Sequence, residues 1–300
     1  MTGSRPLLVA TDIDGTLVDR NDRIPAANRA VIAELVADGA TFVLATGRPP
    51  RWLSQVVDQL PVAPLAVCAN GAVVMDTASG EFLSTRLLEA EALAAIDEVL
   101  RDRLPGSGIA AERLGVDAAD REFVASPDYE HAWIQPEHLE VGHSEVLARP
   151  VLKLLARVPG MPSADMVEAL RGEVHHLADV TYSTTDGLIE FAARGVTKAS
   201  GLAELAAGLG RQSRARPGAG ESGTARGTLA SSTAQGTLAP GVVPVTVAFG
   251  DMPNDLEMLR WADHGVAMGN AIPVVHAAAD EITLTNDEAG LAHVLRRWWN

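Results

Sequence analysis

The sequence predicts an α/β fold in which a doubly wound parallel sheet carries an inserted α+β module. Short apolar runs alternate with helical patterns over residues 7–68 and again after Gly241, as in βαβ units. Between these parts, residues 85–192 mix a strong helix pattern with isolated strand-like runs. We therefore predict a Rossmann-like core of residues 1–84 and 193–300 and a separate α+β module of residues 85–192.

The N-terminal elements are the most regular. Apolar residues recur at helical spacing over residues 25–38, with Pro25 suited to the first turn and Gly39 to the C-cap. Uninterrupted apolar runs, typical of buried parallel strands, predict strands at residues 7–10, 41–45 and 65–68.

The later elements follow the same rules. The module is predicted to hold helices at 89–104 and 163–171 and strands at 123–124, 151–155 and 188–191. The C-terminal part is predicted to hold strands at 243–249, 265–268 and 281–284 and helices at 255–261 and 291–298. Residues 208–241 are rich in Gly, Ser, Ala and Thr without periodicity, which predicts a flexible low-complexity loop.

Composition excludes several classes of function. The 300 residues carry a formal charge of −15, which argues against binding to nucleic acid or to anionic lipid. Cys68 is the only cysteine, so neither an intramolecular disulfide nor a multi-cysteine metal site is expected. No apolar run approaches the roughly 18 residues of a membrane span, and the apolar start of the chain is too short for a secretory signal. We expect a cytoplasmic protein; the sequence predicts no oligomeric state.

Two carboxylates follow the first predicted strand, Asp12 and Asp14. The carboxyl ends of strands are where open α/β sheets bind ligands. A calcium loop that began at Asp12 would need Glu at its twelfth position, where Arg23 stands. An isolated pair of this kind is usually only an acidic turn, so its meaning depends on the rest of the chain.

Three further polar groups occupy comparable positions. Thr46, Gly47 and Arg48 follow the second strand, Lys198 precedes a helix, and Asp251, Asn254 and Asp255 follow a later strand. Each is ordinary alone, but the four groups in this order are not expected by chance.

In these four groups the chain resembles the haloacid dehalogenase-like hydrolase superfamily, most closely its Cof-like phosphatase subfamily. The matching motifs are residues 12–17, Thr46, Lys198 and residues 250–255, with further similarity at 69–72, 267–271 and 285–290. The resemblance spans the chain except residues 208–241, a segment longer than such proteins usually have.

The resemblance implies a role for each motif. Asp12 would attack phosphorus and become an aspartyl-phosphate, and Asp14 would serve as general acid and base. Mg²⁺ would be held by Asp12, the backbone carbonyl of Asp14 and Asp251, with Asn254 binding directly or through water. The transferring oxygens would be held by Thr46 and Lys198, and Asp255 would orient Lys198 or a metal-bound water.

Four other residues are candidate substrate or phosphate ligands. Gly47 and Arg48 adjoin Thr46, and Arg48 would reach a phosphate or substrate oxygen. Asn70 resembles a loop residue that faces the leaving group; a structural turn is the alternative for Arg48 and Asn70. Glu190 is either a ligand of a substrate hydroxyl or a hinge residue.

The implied function is a Mg²⁺-dependent phosphatase of small phosphorylated metabolites, with residues 85–192 as a cap that excludes water and selects the substrate. Sugar phosphates are the leading class; pyridoxal phosphate, flavin mononucleotide and nucleotide phosphates stay open, because fold and core motifs do not fix specificity. Two alternatives stay open. A phosphotransferase or phosphomutase would have the same core motifs. A non-catalytic binder of a phosphorylated ligand is the other, although it would have no need of the acid Asp14.

Overall fold

A computed structural model of the chain describes residues 5–114, 123–131, 139–214 and 246–299, with side chains to residue 209 in the third range. Its strands are β1 (Leu8–Thr11), β2 (Thr41–Ala45), β3 (Leu65–Cys68), β4 (Val73–Asp76), β5 (Phe82–Thr85), β6 (Gly108–Glu112), β7 (Phe123–Ala125), β8 (Leu139–Glu140), β9 (Lys153–Pro162), β10 (Asp179–Thr181), β11 (Asp186–Ala192), β12 (Thr246–Gly250), β13 (His264–Ala267) and β14 (Glu281–Ile282). Its α-helices are α1 (Ala26–Ala37), α2 (Ser54–Val57), α3 (Ala90–Arg103), α4 (His143–Val146), α5 (Ser163–Ala169), α6 (Lys198–Arg214), α7 (Leu256–Trp261), α8 (Pro273–His276) and α9 (Gly290–Leu295). None of these described helices is both long enough and apolar enough to cross a membrane.

The larger sheet is the predicted parallel sheet. Its order is β14-β13-β12-β1-β2-β3-β4-β5, and neighbouring strands from β14 to β3 are parallel. β1 therefore lies between β12 and β2, so the carboxyl ends of strands from both parts of the chain meet at one edge. β4 and β5 add an antiparallel edge that the sequence analysis did not predict.

Helices cover both faces of this sheet, which confirms the doubly wound fold. Successive residues of a strand point to opposite faces. Val9 of β1 accordingly packs in a core with Val31 of α1 and Leu291 of α9. Its neighbour Ala10 packs in a second core with Leu202 of α6 and Leu259 of α7 on the other face.

The smaller sheet is formed by residues that lie between β5 and α6 in the chain. Its order is β10-β11-β9-β6-β7-β8, mostly antiparallel. The apolar side chains of α3 and α5, such as Leu93 and Met166, pack against one face with Ile189 of β11. Residues of the other face, including Lys153 and Glu190, line a cavity shared with the larger sheet. An inserted α+β unit is therefore present; its exact limits at residues 85 and 192 stay a prediction.

Several predicted bounds shift. β9 starts at Lys153 because Val151 makes only an isolated bridge to Leu88, and α9 ends at Leu295, before residue 298. β6 was missed because its residues, Gly108–Glu112, include two alanines and one β-branched residue.

The predicted loop at 208–241 begins too early. Helix α6 continues to Arg214, because its buried Leu202 and Leu205 anchor it to the sheet. That packing outweighs the cost of about 1 kcal/mol for a glycine such as Gly208 inside a helix. The rest of the predicted loop lies outside the described residues.

Candidate active site

Two aspartates meet where β1 and β12 end. Asp12 follows β1 and Asp251 follows β12; the Thr16 hydroxyl donates to Asp251 Oδ1 at 2.9 Å. Between Asp12 and Thr16 the chain turns at Gly15, which has a φ of +74°. A Cβ on Gly15 would lie 2.3 Å from Asp251 Oδ2, so only glycine allows this turn to pass so close to Asp251.

Lys198, the first residue of α6, is completely buried between two carboxylates. Its Nζ donates to Asp12 Oδ1 at 2.6 Å and to Asp255 Oδ1 at 2.7 Å. The other oxygen of Asp255 accepts from the backbone N–H groups of Asp251 and Met252. Asp255 thus contacts Lys198 and also fixes the turn after β12.

The electrostatics of this cluster are dominated by burial. Burial raises the pKa of Asp12 well above its ordinary value, Lys198 opposes the increase, and the other aspartates reinforce it. Burial and the neighbouring Asp255 raise the pKa of Asp251 to about 7. Burial opposes the charge on Lys198, but Asp12 and Asp255 outweigh it and raise the pKa of Lys198. The cluster therefore has more negative charge than Lys198 alone offsets.

These residues fit a divalent cation. Carboxylate oxygens of Asp12, Asp251 and Asp255 lie within 4.8 Å of one another, although both oxygens of Asp255 already accept hydrogen bonds. Asn254 is buried beside them, and its Oδ1 receives no hydrogen bond from the described residues. An unmatched buried oxygen is costly, and oxygen ligands of this kind suit Mg²⁺.

Asp14 and Arg48 form an ion pair at the mouth of the site. Arg48 Nε donates to Asp14 Oδ2 at 2.8 Å and Nη2 to Asp14 Oδ1 at 2.5 Å. Burial opposes the charge on Arg48, but its hydrogen bonds to Asp14 prevail and raise the pKa of Arg48. The backbone N–H of Arg48 donates to Thr46 Oγ1 at 3.0 Å. Thr46 itself is completely buried.

The smaller sheet contributes two charges to the same region. Glu190 accepts from Lys153 Nζ at Oε1, 2.8 Å away, and from Asn70 Nδ2 at Oε2, 2.5 Å away. Lys153 also donates to the carbonyl of Gly47 at 2.9 Å. The structure thus brings Glu190 and Asn70 together, a contact that the sequence did not indicate.

Lys153 was missed by the sequence analysis, although a signal was present. Lys153 and Lys198 are the only lysines in the sequence, since its other cations are arginines, and both are buried at this site. A lysine within the apolar run at 151–155 needs a buried partner, and Glu190 is that partner.

A cavity of about 690 Å³ joins the two sheets at this point. The core contributes Asp12, Asp14, Arg48 and Asn254, and the smaller sheet contributes Glu112, Lys153 and Glu190. Trp52 and Phe123, which the sequence analysis did not select, add aromatic walls. The volume and mixed lining are typical of a site for a small molecule.

Comparison with known proteins identifies the family. The model of the haloacid dehalogenase-like hydrolases matches residues 9–215 and 244–295, so the chain belongs to this family. This confirms the resemblance drawn from the motifs.

Curated relatives and solved structures are similar to this chain over nearly its whole length. Two phosphatases of 5-amino-6-(5-phospho-D-ribitylamino)uracil from Bacillus subtilis, YitU and YcsE, are 27% and 25% identical to it, over 99% and 97% of this chain and 99% and 95% of theirs. The sugar phosphatase BT4131 superimposes with a TM-score of 0.70 at 22% identity, over 98% of this chain and 99% of that one. A haloacid dehalogenase-like hydrolase from Bacteroides thetaiotaomicron gives a TM-score of 0.68 at 24% identity, over 98% and 99%.

The chain is therefore a hydrolase of this family, and the phosphatase names of its relatives support a phosphoric monoester hydrolase. The alternative of a non-catalytic binder is set aside by this assignment.

Proposed function

We propose that the protein is a Mg²⁺-dependent phosphatase that forms an aspartyl-phosphate on Asp12. The observation that carries this proposal is the position of Asp12 at the end of β1, where it lines the cavity while its Oδ1 is held by buried Lys198. The buried cation thus holds the Asp12 carboxylate in place at the wall of the cavity.

The donor set supports Mg²⁺ as the cofactor. The ion would be held by Asp12, Asp251 and the backbone carbonyl of Asp14, with Asn254 Oδ1 binding directly or through water. Bound there, it would offset the repulsion between the carboxylates and an incoming phosphate.

The chemistry divides into two displacements. A carboxylate oxygen of Asp12 attacks phosphorus while the bond to the leaving oxygen breaks, and Asp14 gives that oxygen a proton. A water molecule then attacks the aspartyl-phosphate and gives a proton to Asp14, which frees phosphate and Asp12. Lys198, Thr46 and the backbone of Gly47 would hold the transferring oxygens. Arg48 pairs with both oxygens of Asp14 in the structure. Asp14 must release one of these hydrogen bonds to carry the proton, and Arg48 would then be available to a phosphate or substrate oxygen.

The smaller sheet would act as a cap over this chemistry. Its charged face closes the cavity with Glu112, Lys153 and Glu190, a placement that supports exclusion of water. For the substrate, we propose a phosphorylated polyol or sugar. The relatives YitU and YcsE, named as phosphatases of a phosphoribitylamino-uracil, add a ribityl phosphate joined to a pyrimidine as a candidate. The aromatic walls of the cavity offer a surface for such a ring.

The test is phosphate release from a panel of sugar, polyol and nucleotide phosphates, pyridoxal phosphate, flavin mononucleotide and the ribitylamino-uracil phosphate. Each is assayed with Mg²⁺ and with chelator. We expect Mg²⁺-dependent release by the wild type and none by Asp12→Asn. Asp97→Asn is the matched control, because Asp97 is a buried aspartate that pairs with His143 of α4, and it should retain activity. Transfer of phosphate to a second metabolite without release would favour the phosphotransferase instead.

A further inference from the structure

A chain of four polar side chains links the smaller sheet to the proposed metal site. Lys153 lies on β9, Glu190 on β11, Asn70 after β3 and Asn254 after β12. All four are buried. Their order of contact determines which atom each amide presents to the next group.

The first step is set by Glu190. An ionised carboxylate only accepts hydrogen bonds, and here one oxygen accepts from Lys153 while the other accepts from Asn70 Nδ2. Asn70 must therefore turn its NH₂ group toward Glu190. Its carbonyl oxygen Oδ1 is then on the opposite side, toward the core.

The orientation of the Asn70 amide in turn determines the orientation of the Asn254 amide. Asn254 Nδ2 donates to Asn70 Oδ1 at 3.1 Å, so Asn254 presents its own Oδ1 in the other direction. That atom is buried and receives no hydrogen bond within the described part of the chain. The unmatched oxygen is thus available to a cation or to a water molecule on the cation.

The backbone of Gly47 secures the junction. A Cβ there would lie 3.2 Å from Asn70 Oδ1 and 3.7 Å from Asn254 Nδ2, so the glycine permits these amides to pack closely. Lys153 donates to the carbonyl of the same residue. The ion pair of the smaller sheet is therefore attached to the core where the two amides meet.

We infer that Glu190 is a positioning residue for the metal site: acting through Asn70, it fixes which end of the Asn254 amide faces the cation. The inference rests on the proposed function, because it takes Asn254 Oδ1 as a ligand of Mg²⁺ or of its water. It explains why a buried ion pair is placed between the two sheets, and it makes the complete donor set depend on the smaller sheet being seated on the core.

The substitution Glu190→Gln tests the orientation of the two asparagine amides while the shape of the side chain at position 190 stays nearly the same. Glutamine has nearly the same volume and can still accept from Lys153, but its NH₂ group can face Asn70. The two asparagines can then reverse with no hydrogen bond lost, which turns the NH₂ of Asn254 toward the cation. A donor cannot bind a cation, so Mg²⁺ affinity should fall about tenfold, the scale found when outer partners of metal ligands are removed.

The experiment measures Mg²⁺ affinity without substrate, by calorimetric titration, for four proteins: wild type, E190Q, N70A and E190Q/N70A. Far-ultraviolet circular dichroism checks the fold of each. N70A should lower Mg²⁺ affinity about as much as E190Q, because it breaks the hydrogen-bonded connection between Glu190 and Asn254. In the N70A background, E190Q should have no further effect.

Glu112→Gln is the matched control, because Glu112 is a buried glutamate on β6 at the same cavity and accepts a hydrogen bond from Arg51. It removes the same charge and should leave Mg²⁺ affinity within twofold of the wild type. The inference is overturned if E190Q or N70A binds Mg²⁺ like the wild type, if E112Q loses as much as E190Q, or if E190Q still lowers affinity in the N70A background. If E190Q does not fold, N70A alone decides. Absence of Mg²⁺ binding by the wild type would instead contradict the proposed function, and the inference with it.

Discussion

The Nζ atom of Lys198 lies 2.6 Å from Oδ1 of Asp12, in a side chain with no exposed surface. The contact joins residues 186 positions apart in the sequence. It depends on the parallel sheet, because α6 returns to the core only after the smaller sheet has been completed. Lys198 limits the effect of burial on Asp12 and so favours the ionised form that a nucleophile needs.

Removal of that cation should impair both activity and stability. In Lys198→Met, Asp12 and Asp255 would remain buried without their shared partner, which costs about 3–5 kcal/mol. Turnover should fall by about 10²- to 10³-fold, as when one group that stabilises developing charge is lost. Steady-state kinetics and urea unfolding measure the two effects. Wild-type turnover in the variant would show that Lys198 has no part in the chemistry.

The loss of Asp251 should stabilise the metal-free protein. A carboxyl whose pKa is about 7 when folded and about 4 when unfolded destabilises the folded state increasingly as pH rises between those values, and fully above pH 7. Asp251→Asn should therefore have a Tm at pH 8 that is higher by a few degrees without metal. Mg²⁺ should raise the Tm of the wild type and not that of the variant. A lower Tm for the variant at pH 8 without metal would contradict this.

Gly15 can be tested against a matched glycine. Both Gly15 and Gly39 have positive φ, but a Cβ on Gly39 meets no atom within 4 Å. Alanine at either position should cost about 1–2 kcal/mol from the left-handed backbone. Only Gly15→Ala should also displace Asp251 and reduce Mg²⁺ affinity, as measured by titration. Equal Mg²⁺ affinity in the two variants would show that Asp251 is not a ligand.

We predict that the ion pairs of Glu281, at the edge of the larger sheet, stabilise the fold in a pH-dependent way. Burial opposes ionisation of Glu281 on β14, but hydrogen bonds from His264 and Arg297 outweigh it and lower its pKa to about 2. A lowered carboxyl pKa contributes stability that is present above the unfolded value and is lost as pH falls through about 2. Glu281→Gln should thus be less stable than the wild type at pH 7, and the difference should shrink below pH 4.5. A constant difference across chemical denaturation curves from pH 7 to pH 2.5 would disprove it.

Much of this fold could be predicted from the chain, because buried parallel strands are continuous apolar runs and helices repeat their apolar residues every three or four positions. The strand at residues 65–68 and the helix near 26–37 were found in this way. The hairpin of β4 and β5 was not predicted, because β5 is largely exposed and the buried apolar run of β4 is only three residues long. Helix α6 extends beyond its predicted end, because the packing of Leu205 against the sheet outweighs the effect of the local composition.

The candidate site, like the fold, could be predicted from the sequence only in part. Asp12, Lys198 and Asp251 stand at strand or helix ends, where the sequence order already indicates a shared location. The contact of Glu190 with Asn70 depends on how the smaller sheet sits on the larger one, which no local pattern encodes. Lys153 could have been found from its lone charge in an apolar strand, but its partner could not.

The most direct test of the proposed nucleophile is a search for phosphate on Asp12. Wild type and Asp14→Asn are mixed with Mg²⁺ and a substrate that the wild type hydrolyses. The reactions are quenched in acid within milliseconds, and the digested protein is examined by mass spectrometry. We predict a phosphorylated peptide that contains Asp12, more abundant in Asp14→Asn because hydrolysis of the aspartyl-phosphate lacks its base. Turnover without any phosphorylated peptide, together with full activity in Asp12→Asn, would contradict the account.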